Sequence, residues 1–273
     1  MTRYASIAVA LVVCALAGPS GAGAQTIWDD PAFQLLRQSM DAMNAKDYAR
    51  ASELTAQAVA QLPNHPLAFY VRGQAAAAQS RWDEAVQAFG KAAELYPGSF
   101  AAHRDLGASL EHLGKINDAA KAFGAALALR DQDELRARLA FMLAENGEEP
   151  RAMSELEKLA ARDTRIPDVY STRGRLAYET GDWVGAEKAY ARSVALKDDG
   201  RNWFNLGVVR VRLQNLNGAL QAFERAAMFP DTKKQADTEA VRIREAQKND
   251  TGTARQLRTP GQFAVPSGPG GAR

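Results

Sequence analysis

The sequence predicts an all-α solenoid of about six helical hairpins, and three observations lead there. A segment of about 34 residues recurs along the chain. Within it, small and aromatic residues return at helical spacing. Between its two halves stands a turn signal: Lys46-Asp47-Tyr48, Arg81-Trp82-Asp83, Gly114-Lys115-Ile116, Gly147-Glu148-Glu149, Gly181-Asp182-Trp183 and Asn215-Leu216. These divide the chain into units 32–65, 66–99, 100–132, 133–166, 167–199 and 200–233.

Each unit is justified by the same arithmetic. Its first half carries a bulky residue, then one turn later a small one. Its second half carries a small residue, an aromatic and an alanine, each about one turn apart. The second unit supplies Phe69, Gly73, Ala85, Phe89 and Ala92, with Pro97 closing it and Arg72 departing from the expected leucine. The third offers Leu106, Gly107, Ala119, Phe123 and Ala126. The fifth has Tyr170, Gly174, Ala186 and Tyr190, and the sixth Trp203, Leu206, Gly207, Ala219, Phe223 and Ala226. Two helices that cross closely tolerate nothing larger than Ala at the crossing, so each glycine is expected to face the alanine of its partner helix. The aromatic one turn on is expected to fill the wider space. A glycine or short polar residue is expected to end each first helix.

Two units diverge. The first keeps Tyr48, Ala51, Ala58 and Pro63 but has Ser39 at the small position. The fourth has Pro150 near the start of its second helix, where proline is tolerated, and Leu156 and Leu159 in place of the aromatic and alanine. Residues 234–248 read as one more helix, with Ala236, Ala240, Val241, Ile243 and Ala246 on a partial apolar stripe that caps the array.

This pattern resembles the tetratricopeptide-repeat (TPR) family. The resemblance implies a right-handed α-solenoid whose first helices line a concave groove, and a protein that binds other proteins. Some TPR domains hold a chaperone's terminal carboxylate with a clamp of lysines and asparagines. Here only Asn205 stands at such a place, with Ser171 and Arg175 where Lys and Asn belong, so the clamp is absent.

The ends of the chain carry different information. Thr2-Arg3, an apolar run from Ile7 to Ala17, and Ala22-Gly23-Ala24 read as the n-region, h-region and cleavage site of a secretory signal peptide, residues 1–24. The run is far shorter than the roughly 20 residues of a membrane-spanning helix, so the mature form is not expected to insert in a membrane. The single cysteine, Cys14, lies inside that run, which suits an oxidising compartment. Residues 25–31 form a linker before the repeats. Residues 249–273, rich in Gly, Pro, Ser and Thr, read as a disordered tail.

Charge and motifs narrow the chemistry. With 34 basic and 32 acidic residues the net charge is +2, which supplies no field for nucleic acid. His65, His103 and His112 include no pair at the i, i+4 spacing of a helical metal site. His103 is expected to pack, His65 to sit in a turn and His112 to face the groove. Gly114-Lys115 lacks the glycine and hydroxyl residue of a phosphate loop, and no nucleophile motif is present. The repeats leave no segment for a catalytic domain. The reading is therefore no enzyme, no cofactor and no metal.

By the family's register the groove-facing candidates for peptide binding are Tyr70, Arg104, Arg138, Phe141, Arg175, Tyr178, Phe204, Asn205 and Arg212. Aromatics and arginines carry most of the energy of such contacts. The first unit is apolar at the same places, with Phe33, Leu36, Met40 and Met43. It either packs against the segment containing Trp28 or docks on a second copy of the chain. The expectation is an exported, periplasmic or secreted adaptor that holds a peptide or helix of a partner protein, in bacterial envelope biogenesis. The alternatives are a self-associating structural protein, or a carbohydrate binder that stacks sugars on Tyr70, Phe141 and Tyr178.

Overall fold

The computed structural model describes residues 30–248. The expected signal peptide, the tail and most of the linker, with Trp28, lie outside them. The described residues form thirteen helices, paired in sequence as antiparallel hairpins in an all-α fold. In order, the hairpins are α1 (Pro31–Asn44) with α2 (Tyr48–Gln61), α3 (Pro66–Ala78) with α4 (Trp82–Leu95), and α5 (Phe100–His112) with α6 (Ile116–Leu129). They continue with α7 (Asp133–Glu145) and α8 (Glu149–Ala161), α9 (Pro167–Glu179) and α10 (Trp183–Leu196), and α11 (Gly200–Arg212) and α12 (Leu216–Ala226), before a final α13 (Lys233–Lys248). The chain divides between Leu135 and Arg136 into two compact units.

All six hairpins turn in the same way. The second residue after the first helix adopts a left-handed backbone: Lys46 at φ 63°, Ser80 at 57°, Gly114 at 68°, Gly147 at 77°, Gly181 at 82° and Gln214 at 61°. The next amide reaches back five residues to a carbonyl of the helix just ended, as from Asp47 to Ala42 at 2.8 Å, Lys115 to Leu110 at 2.9 Å and Asn215 to Arg210 at 2.9 Å. This bond satisfies a carbonyl that would otherwise be orphaned at the helix end. The expectation of glycine or a short polar residue holds at four turns and is corrected at Lys46 and Gln214, where long side chains take the strained conformation. Several second helices are then capped from the turn itself. Asp47 accepts from the Arg50 amide at 3.0 Å, Asp182 from Gly185 at 2.8 Å and Asn215 from Gly218 at 3.0 Å.

The core of each hairpin shows what the small residue is for. A Cβ added to Gly73 would lie 2.6 Å from the Phe89 ring, and one on Gly107 would lie 2.5 Å from Phe123. The same holds for Gly174 against Tyr190 at 2.9 Å and Gly207 against Phe223 at 2.7 Å. The glycines are thus covered by the aromatic rings, which corrects the expectation that each faces an alanine with the ring beyond. Ala85, Ala119, Ala186 and Ala219 are still fully buried.

The two divergent hairpins obey the same volume rule. Where the fourth has Ala140 instead of glycine, its second helix has Leu156 instead of a ring, and both are fully buried. Where the first has Ser39, it has Thr55, and the Ser39 hydroxyl donates to the Ala51 carbonyl at 3.0 Å. A larger residue on one helix goes with a smaller one on the other, which keeps the pair close-packed. The fourth hairpin also replaces the usual bulky apolar residue with Arg136. Its side chain is about nine-tenths buried and pairs with Glu155, itself held by Lys158 at 2.6 Å.

The last helix closes the final hairpin. Ala236, Ala240 and Ile243 of α13 join Phe204, Val208, Phe223 and Ala226 in one apolar cluster. Val241, expected on the same stripe, is 47% exposed instead.

Candidate functional site

In each unit one pair of successive first helices is tied together by polar side chains, α3 with α5 and α9 with α11, and predicted residues sit at these ties. In the N-terminal unit the Tyr70 hydroxyl on α3 donates to Asp105 Oδ2 on α5 at 2.8 Å, and Gln74 donates to that hydroxyl at 3.3 Å. Arg104 Nε holds the other oxygen, Asp105 Oδ1, at 2.7 Å. Burial first, then the Asp105 charge, pushes the Tyr70 phenol far above its ordinary value, so it remains a donor. Tyr70 is only 7% exposed, and its ring lies 5.6 Å from that of Phe89. The residue therefore belongs to the core, and its polar end is already used.

The C-terminal unit gathers a different set. Arg212 on α11 donates from Nε and Nη2 to the Tyr178 hydroxyl on α9, at 3.4 and 3.3 Å. Its guanidinium lies 6.0 Å from the Tyr178 ring centre and 5.6 Å from that of Trp183. The two rings meet edge to face at 4.9 Å. Such a cation over paired aromatics is attractive, and it fixes three long side chains in one arrangement before any ligand arrives. Arg175, one turn before Glu179 on α9, pairs with it at 3.0 Å. Phe204 is buried, with its ring 5.2 Å from Phe223, so it too is a core residue. Asn205 is 5% exposed and neighbours the buried Tyr190. On α7, Phe141 is half-buried and Arg138 exposed.

The structure thus brings Arg175, Tyr178, Asn205 and Arg212 together on α9 and α11, and places Tyr70 with Arg104 in the other unit. The arginines Arg104 and Arg175 already hold carboxylates of their own chain. Sugar stacking on Tyr70 loses its platform, because that ring is enclosed.

A model of the tetratricopeptide repeat matches residues 36–100 and 171–234. Those two segments are similar to tetratricopeptide repeats. Solved TPR structures share the architecture. YrrB, described as a TPR protein with an unusual peptide-binding site, aligns at 16% identity and a TM-score of 0.58 over 69% of this chain and 98% of its own. MamA aligns at 20% identity and 0.55, over 62% of this chain and 94% of its own. The C-terminal part of a TPR protein from Cytophaga hutchinsonii aligns at 16% and 0.64, over 84% and 97%. At these identities the likeness is one of fold. No curated protein is similar enough to match.

Within the TPR register, the residues missed by sequence reasoning are those at the first position of the second helix. Trp183 there underlies Arg212, and Trp82 in the corresponding place stacks on His112 with ring centres 3.9 Å apart and planes 10° from parallel. Both partners end the first helix of the next TPR. His112, read as a groove residue, is therefore half of a ring stack. His65 caps α3, its Nδ1 accepting from the Leu67 amide at 3.3 Å, and His103 meets the Pro97 carbonyl at 3.0 Å. Among the described residues no cluster of three metal-ligating side chains occurs, and no helix is long and apolar enough to cross a membrane.

Proposed function

We propose that this chain is an exported TPR scaffold which grips an extended or helical segment of a partner protein on the first helices of its C-terminal unit, in the bacterial envelope. The observation that carries the reading is the Tyr178–Trp183–Arg212 assembly, with Arg175 about one turn before Tyr178 on α9 and paired with Glu179. Aromatic and arginine anchors that are already ordered lose little entropy on binding, and such residues dominate interface energies. That YrrB carries a peptide-binding site agrees with this. Export rests on the signal-like residues 1–24 alone.

Site-specific photocrosslinking in the native cell tests both parts. A photoreactive residue at Arg175 is expected to capture a defined partner protein, and one at exposed Lys188 on α10 is not. Equal capture from both positions, or from neither, defeats the reading. Export predicts a mature chain that starts near Gln25 in the periplasmic or extracellular fraction. An intact Met1 in the cytoplasm defeats that part.

A further inference from the structure

A chain of polar contacts on the last hairpin ends on a sulfur. Trp203 on α11 donates from Nε1 to Asp198 Oδ1 at 2.6 Å, and Arg225 on α12 reaches the same carboxylate with Nε at 3.2 Å and with Nη2. The remaining head of that guanidinium, Nη1, donates to Met228 Sδ at 3.1 Å. Met228 stands in the link between α12 and α13, where its amide bonds back to the Arg225 carbonyl at 3.1 Å. At 68% exposure it is the most open large apolar residue among the described ones. Of the other described methionines, Met142 is buried, and Met40, Met43 and Met153 are half-buried.

A side chain this exposed contributes little by packing, and its sulfur chemistry is what sets it apart. A thioether has two lone pairs, accepts hydrogen bonds weakly and is oxidised to a chiral sulfoxide. Arg225 occupies one of those lone pairs. Its two bonds to Asp198 hold the guanidinium in place, and no second donor meets the sulfur among the described residues. The other lone pair is therefore open to solvent.

We propose that Met228 is a reversible oxidation site for hydrogen peroxide, and that Arg225 directs the oxygen to one face of its sulfur, so that one sulfoxide epimer predominates. The open lone pair attacks one peroxide oxygen and the O–O bond breaks. The departing hydroxide takes the proton of the transferred oxygen. Thioether and peroxide thus become sulfoxide and water, with sulfur oxidised by two electrons and peroxide reduced. Attack from the guarded side first requires the Arg225 bond to break. Oxygen at Met142 would put a polar group into the core, whereas at Met228 it enters solvent. The two sulfoxide epimers are reduced by different enzymes, so Arg225 also selects the reductase that restores this residue. None of this depends on the reading under Proposed function.

The test treats the whole chain with dilute hydrogen peroxide, then quenches, digests and follows each methionine by mass spectrometry. Met228 is expected to oxidise several-fold faster than Met40, Met43 and Met153. An equal rate at any of the three overturns the site. The digest is next divided between the two epimer-specific sulfoxide reductases. One enzyme is expected to restore about ten times as much of the Met228 peptide as the other, a ratio that corresponds to about 1.4 kcal/mol between the two approaches. Arg225→Ala, with helix content unchanged, should bring the two yields close to equal. Asp198→Asn keeps the guanidinium but weakens its anchor, and is expected to lower the ratio without abolishing it. Equal yields in the unaltered chain, or a ratio that neither substitution alters, overturn the steering by Arg225.

Discussion

The ring of Phe123 packs on Gly107, so close that a methyl group on the glycine would sit 2.5 Å from the ring edge. Gly107→Ala is an overpacking change and is expected to cost about 2 kcal/mol, or several degrees of melting temperature. Phe123→Leu in the same chain should recover part of that loss, because Ala140 with Leu156 is the same combination in the fourth hairpin. A double-mutant cycle followed by thermal melts measures the coupling. Additive losses would show that the two sites do not share one volume.

Buried Arg136 depends on Glu155. Glu155→Ala leaves the guanidinium enclosed without that carboxylate and is expected to destabilise by about 3 kcal/mol. Replacing both with leucine should cost far less, since a well-packed apolar pair often equals a buried ion pair. Urea unfolding of the three variants discriminates, and equal losses in the single and double variants would place the stabilisation elsewhere.

Gln214 holds a left-handed backbone at φ 61° at a turn where three other hairpins use glycine. Gln214→Gly removes the Cβ clash and is expected to raise stability by up to about 1 kcal/mol, offset in part by the greater freedom of glycine in the unfolded chain. A lower denaturation midpoint would mean that the Gln214 side chain makes contacts worth more than the strain.

His65 responds to pH. Burial lowers its pKa below the ordinary 6.5, and its Nδ1 must stay unprotonated to accept the Leu67 amide. A base with a depressed folded value contributes stability that is fully present above 6.5 and is lost as pH falls through the folded value. Chemical-shift titration should therefore find its midpoint below 6.5, and His65→Asn, which keeps a capping acceptor, should flatten the acid limb of the stability curve. A midpoint at or above 6.5 would contradict the half-buried, neutral imidazole.

Phe141→Ala, at a half-buried ring on α7, is expected to reduce partner capture with a modest fall in melting temperature. Tyr178→Ala is expected to reduce capture and to lower the melting temperature as well, because Tyr178 packs against Trp183 and the apolar clusters of the last hairpins. This separates the two rings that the sequence treats alike. Calorimetry beside crosslinking tells them apart.

Much of the fold could be read from spacing alone, since Gly73, Gly107, Gly174 and Gly207 recur with their aromatics and only stacked hairpins explain such periodicity. The covering of each glycine by a ring rather than an alanine was not legible, because helix period gives a face but not the lean of a side chain along it. The candidate site was legible as a list and not as an arrangement. Nothing in the sequence separates Tyr70, whose hydroxyl is used by Asp105, from the half-buried Tyr178, whose hydroxyl receives Arg212. That difference arises from which residue stands one TPR away.

The final α13 has a consequence for how many copies of the hairpin the chain can carry. By covering Phe223 and Val208 with Ala236, Ala240 and Ile243, and by turning Arg244 and Gln247 to Glu224 and Asn217, it substitutes a charged outer surface for the sticky flank that a seventh hairpin would need. It works as a stopper on a growing stack. Chains cut before Lys233 should expose that flank and string together end to end, visible as concentration-dependent filaments in light scattering.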